Sequence, residues 1–324
     1  MKIKTPKFWR EINLFSLLLL PLSFIYLLGF LINKFFTKTH KISKPVICVG
    51  NLIAGGSGKT PTAIAIGEIL NELSVNFAFL SRGYMGDGSQ FLMLYKEDGS
   101  KPDQVGDEPL LLVDTAPTFV SKNRLFGALQ IEAMNKFSAI VLDDGMQNDS
   151  LHRDFTIMVI DGKIAFGNGF LIPAGPKREP LFLGLKKADL IVIIGKANED
   201  LLKQLQNKKI IHANLLVKNL EDFLGQKLIA FCGLAYPQKF FDILENKGLE
   251  VIETQGFPDH HSYVSYELEK LCELAKIKNA TLITTKKDWI KFPKVFQNKI
   301  AYLDVFLEFE DKETVKNLLK NIIK

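Results

Sequence analysis

The chain has 324 residues, 41 basic against 36 acidic side chains, a net charge of +5 and three cysteines. That length supports two domains with real cores, and the composition excludes a disordered, low-complexity or repeat protein. Cys48, Cys232 and Cys272 are odd in number and far apart, which speaks against a disulfide framework or a zinc site and suits a reducing cytosol.

The basic charge is local. Residues 1–44 carry eight Lys/Arg and one acid, Glu11, a net +7 that leaves −2 for the other 280 residues. A nucleic-acid binder carries its charge on the folded domain, so nucleic acid is not an expected partner. Between the basic flanks, Ile12 to Asn33 has no charged residue and is long enough to cross a hydrocarbon core as a helix. A buried core helix is the competing reading. No small-x-small site follows, so a cleaved signal peptide is not expected. Lys/Arg at both ends, with Trp9 and Tyr26, suit a helix lying in or partly sunk into an anionic leaflet. Pro21 predicts a kink and half-insertion.

Next comes an apolar strand, Pro45 to Val49, then Gly55-Gly56-Ser57-Gly58-Lys59-Thr60, then a helix opened by Pro61. A Gly-rich turn between strand and helix, closed by Lys-Thr, cradles a nucleotide triphosphate. Backbone N–H groups face the phosphates, Lys59 reaches the β/γ oxygens and the Thr60 hydroxyl ligates Mg²⁺. Gly55 to Pro61 is therefore the expected nucleotide site. The common pattern has Gly where this chain has Ile53, and a turn that binds nothing is the competing reading.

Strand-like runs follow at Val75–Leu80, Ser138–Leu142, Phe155–Ile160, Leu190–Ile194, Ile210–Ala213, Leu228–Phe231, Thr281–Thr285 and Ile300–Leu303, with helical stretches between most of them. The rhythm predicts an α/β fold, a P-loop NTPase-type, mostly parallel sheet flanked by helices. A polar stretch from Lys218 to Lys227 suggests a boundary. The expected domains are 1–44, a membrane-association helix; 45–220, a nucleotide-binding kinase domain; and 221–324, a smaller α/β domain closing the cleft.

Four further clusters carry chemistry. Ser138 to Leu142 ends in Asp143-Asp144, and a carboxylate at such a strand tip holds Mg²⁺ opposite Thr60. Asp107 and Glu108 precede a helix; they are either an acidic cap or a base and second metal ligand. Asp259-His260-His261 lies in the second domain, where one histidine paired with Asp would orient a base across the cleft, a polar loop being the alternative. Arg178, in a proline-rich loop, would stabilise charge on the γ-phosphate. Arg82 and Tyr84, after a strand, are candidates for the acceptor's phosphate or sugar.

Taken in order, these motifs resemble the tetraacyldisaccharide 4'-kinases of lipid A biosynthesis. The resemblance spans the apolar N-terminus, Val49-Gly50-Asn51-Leu52 into the P-loop, Ser81-Arg82-Gly83-Tyr84, Gly106-Asp107-Glu108-Pro109, Asp143-Asp144-Gly145-Met146-Gln147, Ile172 to Pro176 with Arg178-Glu179-Pro180, Asp259-His260 and Thr285-Lys286-Lys287-Asp288. It implies transfer of the γ-phosphate of ATP to the 4'-hydroxyl of a tetraacylated disaccharide 1-phosphate, giving lipid IVA. ATP and Mg²⁺ are the implied cofactors, and the cytoplasmic face of the bacterial inner membrane the implied location of a monomer. Lys59 and Thr60 would hold phosphate and metal, with Asp143, Asp144 and Glu108 serving the metal. Asp107 would be the base with His260 beside it. Arg178 and Glu179 would contact the nucleotide side, and Asn51 and Gln147 join Arg82 and Tyr84 as acceptor contacts. One departure is Asn148, where the family usually has His; an amide cannot shuttle a proton near neutral pH.

Three rivals remain. A GTPase would use Thr285-Lys286-Lys287-Asp288 to read guanine, but Asp143-Asp144-Gly145 lacks the Asp-x-x-Gly spacing. A partitioning-type ATPase would have Lys at Ala54. A nucleotide-binding membrane adaptor would not need Asp107 or His260.

Overall fold

The computed structural model describes residues 6–83, 86, 91–95 and 102–323, of 102 and 103 the backbone only. The larger sheet is built from β1 (Val46–Gly50), β2 (Phe77–Ser81), β3 (Leu92–Leu94), β4 (Thr118–Val120), β5 (Ala139–Asp143), β6 (Phe155–Asp161), β7 (Leu190–Ile194) and β8 (Ile210–Val217). The smaller is built from β9 (Lys227–Cys232), β10 (Glu250–Gly256), β11 (Thr281–Thr285) and β12 (Ala301–Leu303). The last strand, β13 (Val305–Phe309), pairs antiparallel with β8 and makes the larger sheet nine-stranded, in the order β13-β8-β7-β6-β1-β5-β2-β4-β3. The segment 221–324, expected as one unit, is thus divided. β10-β9-β11-β12 form a four-stranded parallel sheet, and the C-terminus returns to the first core.

β1 lies at the centre, parallel to β5 and β6. Its side chains alternate, Ile47 and Val49 joining the core on one face, Val46 and Cys48 the core on the other. A strand buried on both faces needs helices on both sides and reads as an unbroken apolar run. The Lys59–Glu72 helix covers one face, together with Val315 and Leu319 of the Lys312–Ile323 helix. Parallel register pairs Val49 with Asp143, so the P-loop and the acidic tip of β5 emerge at the same edge. Ligands bind there in open α/β sheets, beyond the carboxyl ends of the strands.

The N-terminal apolar run is not one helix. Asn13 and Ser16 form a capping box that starts Leu14–Leu18, the chain breaks at Leu19, and a second helix spans Leu20–Phe36. Its 17 residues rise about 25 Å, short of the roughly 30 Å of a hydrocarbon core. No helix among the described residues is long and apolar enough to cross a membrane. Pro21 stands in the first turn of the second helix, where its missing N–H costs nothing. The break therefore falls at Leu19, just before it.

This helix is seated on the 168–178 loop by polar contacts in an otherwise apolar segment. Ser23 Oγ donates to Leu171 O at 2.8 Å and accepts from Ala174 N at 3.0 Å. Tyr26 OH donates to Arg178 O at 2.6 Å, and Trp9 Nε1 to Pro173 O at 2.9 Å. The outward face is apolar: Leu14, Phe15, Leu18, Phe24 and Ile25 are each more than 60 % exposed.

Candidate active site

The P-loop has the backbone that its glycines predict. Gly55 and Gly58 take φ of +115° and +88°, a region that L side chains rarely enter. A Cβ on Gly58 would stand 2.3 Å from Ile194 Cδ1. Ser57 accepts from Asn51 Nδ2 at 2.7 Å, and the same amide donates to Ile53 O at 2.8 Å. Asn51, fully buried, therefore braces the loop from beneath. Ile53 fills the irregular position as a core residue and bridges to Lys177. Lys59, Thr60 and Pro61 then open the helix.

Thr60 Oγ1 donates to Asp143 Oδ2 at 3.2 Å. Asp143 is 1 % exposed, and its Oδ1 is buried without a hydrogen-bond partner. Burial, with Glu108 and Asp144 adding negative charge, pushes its carboxyl up to about 8 despite Lys59. Asp144 stands otherwise. It has φ +54°. Arg178 Nη1 donates to both its oxygens at 2.8 and 2.9 Å, and Lys59 Nζ lies at 3.6 Å. Burial opposes its charge, but Lys59 and Arg178 outweigh burial and hold it well below the usual carboxylate range.

Arg178 reaches this point because its chain is tied to the P-loop's leading segment. Arg178 N donates to Leu52 O at 2.8 Å and Ala54 N to Pro176 O at 2.8 Å. Glu179, expected on the nucleotide side, is instead fully buried, paired with Lys187 at 2.9 Å and accepting from Gln147 Nε2 at 3.0 Å. Gln147 also donates to Asn51 O at 2.8 Å. It lines an open hollow of about 360 Å³ with Tyr26, Phe30 and Asn33 of the N-terminal helix.

The second domain contributes the other half. His260 Nδ1 lies 2.9 Å from Asp107 Oδ2, and Lys291 Nζ 3.7 Å from the same oxygen. Burial alone would raise Asp107; the His260 hydrogen bond and the Lys291 and Lys287 ammoniums outweigh it and hold the carboxyl below its ordinary value. His260 has φ +53°, and its N–H donates to Gly233 O at 3.2 Å. Its neighbour His261 turns away, pairing with Glu267 at 2.9 Å and stacking on Phe257. From the helix Pro237–Asn246, Lys239 donates to Gly56 O at 3.0 Å, joining the second domain to the P-loop.

The other expected residues lie as follows. Glu108 is half-buried beside Asp107 and close enough to Asp143, Arg178 and Lys287 to shift all three. Arg82 is exposed, and Tyr84 lies outside the described residues. Asn148 makes an Asx turn, accepting from Ser150 N at 3.1 Å and Ser150 Oγ at 2.7 Å. Asp288, the residue a GTPase would turn to guanine, is fully buried and accepts from Gly233 N at 2.9 Å and Lys291 Nζ at 2.6 Å. It is a structural anchor, which removes the main support for that rival.

The sequence reading missed Arg124. Its buried guanidinium donates to the carbonyls of Asp143 and Asp144 at 3.0 and 3.2 Å. That fixes the left-handed turn at Asp144, and no local sequence signal marks it. Among the described residues, no three His, Cys, Asp or Glu side chains converge as a metal cage. Mg²⁺ needs none, since phosphate oxygens and waters complete its octahedron. A deeply buried carboxylate with one unpartnered oxygen, next to a hydroxyl, suits such an ion.

The family described as tetraacyldisaccharide-1-P 4'-kinase matches over residues 15–324. A tetraacyldisaccharide 4'-kinase of Paramagnetospirillum magneticum is 38% identical, covering 99% of both chains. One of Rickettsia canadensis is 37% identical over 96% of this chain and 95% of its own. Among solved structures, an "apo" form of LpxK from Aquifex aeolicus in complex with ATP superposes with a TM-score of 0.76 at 28% identity, covering 95% of this chain and 99% of its own. With the P-loop, the acidic strand tip and the Asp107–His260 pair in one fold, this chain belongs to the tetraacyldisaccharide 4'-kinase family.

Proposed function

We propose that the chain transfers the γ-phosphate of ATP to the 4'-hydroxyl of a tetraacyldisaccharide 1-phosphate, at a membrane surface. The observation that best supports this is the Asp107–His260 contact of 2.9 Å. A switch that merely hydrolyses or binds nucleotide has no use for a buried carboxylate oriented from a second domain. A kinase needs one to take the acceptor proton.

In this reading the P-loop amides and Lys59 hold the β/γ phosphates. Thr60 and Asp143 hold Mg²⁺ when it is bound, with Glu108 and Asp144 near it, and the ion neutralises phosphate charge. Phosphate arrival competes for Lys59 and Arg178, which neutralise Asp144 beforehand. The hydroxyl oxygen bonds to the γ-phosphorus as its proton passes to Asp107, and the bond to the β-phosphate oxygen breaks to release ADP. The depressed pKa of Asp107 makes it a weak base. That suffices where the transition state is loose and the hydroxyl proton is lost late.

The acceptor's sugar would lie in the hollow by Gln147 and Tyr26, with Arg82 a candidate for its polar groups. Its acyl chains would stay in the bilayer, since each CH₂ withdrawn costs about 0.8 kcal/mol. The exposed apolar face of residues 14–36, between basic flanks, would rest on the inner-membrane surface, facing the cytosol where ATP is made. The chain would act there as a monomer. The test is ATP turnover in detergent micelles with and without the tetraacyldisaccharide 1-phosphate, following label from the γ-phosphate. Label in the lipid, lost in Lys59→Ala, supports the reading; phosphate released to water regardless of lipid overturns it.

A further inference from the structure

Lys187 closes the helix Leu181–Lys187 with its side chain tucked in, 10 % exposed. It pairs with Glu179 Oε2 at 2.9 Å and with Asp149 Oδ1 at 3.2 Å, and donates to Met146 O at 3.3 Å. Arg153 Nη2 donates to the same Asp149 oxygen at 2.7 Å. Two cations and two carboxylates thus form one cluster, and ion pairs taken out of water are seldom a gain in stability over apolar packing. No step described so far uses it.

The cluster reaches the nucleotide site through one amide. Gln147 Nε2 has two hydrogens to give; one goes to Asn51 O at 2.8 Å, the other to Glu179 Oε1 at 3.0 Å. Gln147 Oε1 accepts from Arg178 Nη1 at 3.3 Å, the same nitrogen that donates to both oxygens of Asp144. Turned over, the amide would set its oxygen against a carbonyl and a carboxylate, and its N–H groups against a guanidinium that has only donors. The acceptor at Glu179 therefore fixes which end of the amide meets Arg178. A buried charge stripped of its partner moves or neutralises, so Lys187 is what keeps that charged acceptor in place.

We propose that Lys187 is a positioning residue for phosphoryl transfer: through Glu179 and the Gln147 amide it aims the Arg178 guanidinium. The proposal rests on the reading of Arg178 as the group that meets phosphate charge. The ties of Arg178 to Leu52 and to Tyr26 hold only its main chain. Among the described residues its side chain donates to Asp144 and Gln147 alone. Arrival of phosphate competes with Asp144, and the Gln147 contact is then the one that still directs the guanidinium.

The test is a double-mutant cycle on the full chain in detergent micelles, following label from the γ-phosphate of ATP. Lys187→Met is expected to lower kcat about tenfold to a hundredfold, as loss of an outer-shell orienting partner does. In an Arg178→Ala background the same change should cost less than about twofold, because a residue that acts through another has nothing left to act on. Lys187→Arg, which keeps a cation, should recover part of kcat. An equal loss in both backgrounds overturns the proposal, since damage to the fold alone is additive. So does an unaltered kcat, including a loss confined to KM for the acceptor, which would make the cluster a wall of the sugar hollow. If Lys187→Met does not fold, Gln147→Leu leaves both ion pairs of Lys187 in place and must show the same dependence on Arg178; additivity there overturns the proposal equally. The destination of the label keeps the kinase reading separate: phosphate released to water regardless of lipid removes that reading, while the rate of release still reads the cycle.

Discussion

Thr60 and Asp143 meet at 3.2 Å beneath the P-loop, yet the hydroxyl satisfies only one of the two carboxylate oxygens. Asp143 is fully buried and its carboxyl rises from the ordinary 3.8 to about 8. For an acid raised on folding, the native state binds the extra proton. Stability is then complete below about pH 4 and lost as pH climbs toward about 8. Asp143→Asn carries no such penalty. Without nucleotide, its melting temperature should exceed that of the wild type near pH 8, and the gap should close near pH 4. Mg²⁺ with ATP should lift the wild type more than the variant, because ligands that bind only the native state stabilise it by mass action. Melting curves across pH check this; a gap independent of pH would mean that Asp143 is ionised throughout.

Gly58 cannot carry a side chain. Its φ of +88° is strained for any L residue, and an added Cβ would press on Ile194 Cδ1 at 2.3 Å. Gly58→Ala should weaken ATP binding by at least about tenfold, from strain of about 1–3 kcal/mol at the loop that must face the phosphates. Titration calorimetry with ATP reads the loss, and circular dichroism should show the sheets intact.

Asp107→Ala should lower kcat by about 10²–10⁴ while leaving ATP affinity nearly unchanged, the range expected for losing general base catalysis. The carboxylate is paired with His260 and Lys291, whereas Lys59 pairs with Asp144. A collapse of ATP binding in this variant would make Asp107 a metal or scaffold group.

Ser23→Ala removes a hydroxyl that both donates to Leu171 O and accepts from Ala174 N. Leu171 O keeps its bond from Gly175 N, but the buried Ala174 N is left unpaired, which costs about 1–3 kcal/mol. Urea unfolding should register that loss, and the KM for lipid acceptor should rise, because the same helix carries Tyr26 against Arg178.

Phe15→Asp with Ile25→Asp tests the outward face. These side chains are 69 % and 63 % exposed, so folding stability should change little. Sedimentation with anionic lipid vesicles should fall sharply. Unchanged sedimentation would assign membrane contact to some other surface.

Much of the nucleotide half was legible because backbone geometry dictates sequence there. A loop needing positive φ at Gly55 and Gly58 must spend glycines, and a strand buried on both faces, like β1, must read as an apolar run. The link between Asp107 and His260 was not legible in the residues themselves. They stand 153 positions apart, and only the docking of the second sheet brings them together. β10 was hidden by its exposed, charged edge character, and β3 and β4 by being three residues long. β12 and β13 are separated by Asp304 alone yet belong to different sheets, a division that no local pattern announces. Arg124 escaped because a buried arginine bonded to carbonyls looks, in sequence, like any helix-start arginine.

The pairing of β13 with β8 has one more consequence. The chain leaves the larger sheet after Val217 and comes back at Val305, and these two residues are register partners, with Lys218 N bonded to Asp304 O at 2.9 Å. The smaller sheet therefore hangs from a two-stranded strap and not from a single tether. A swing about that strap would keep the β8–β13 ladder but would have to part Lys239 from Gly56 and His260 from Asp107. Cutting the gene at residue 220 would not yield an isolated kinase half, because it would strip β13 and the Lys312–Ile323 helix from the core that supports the P-loop helix.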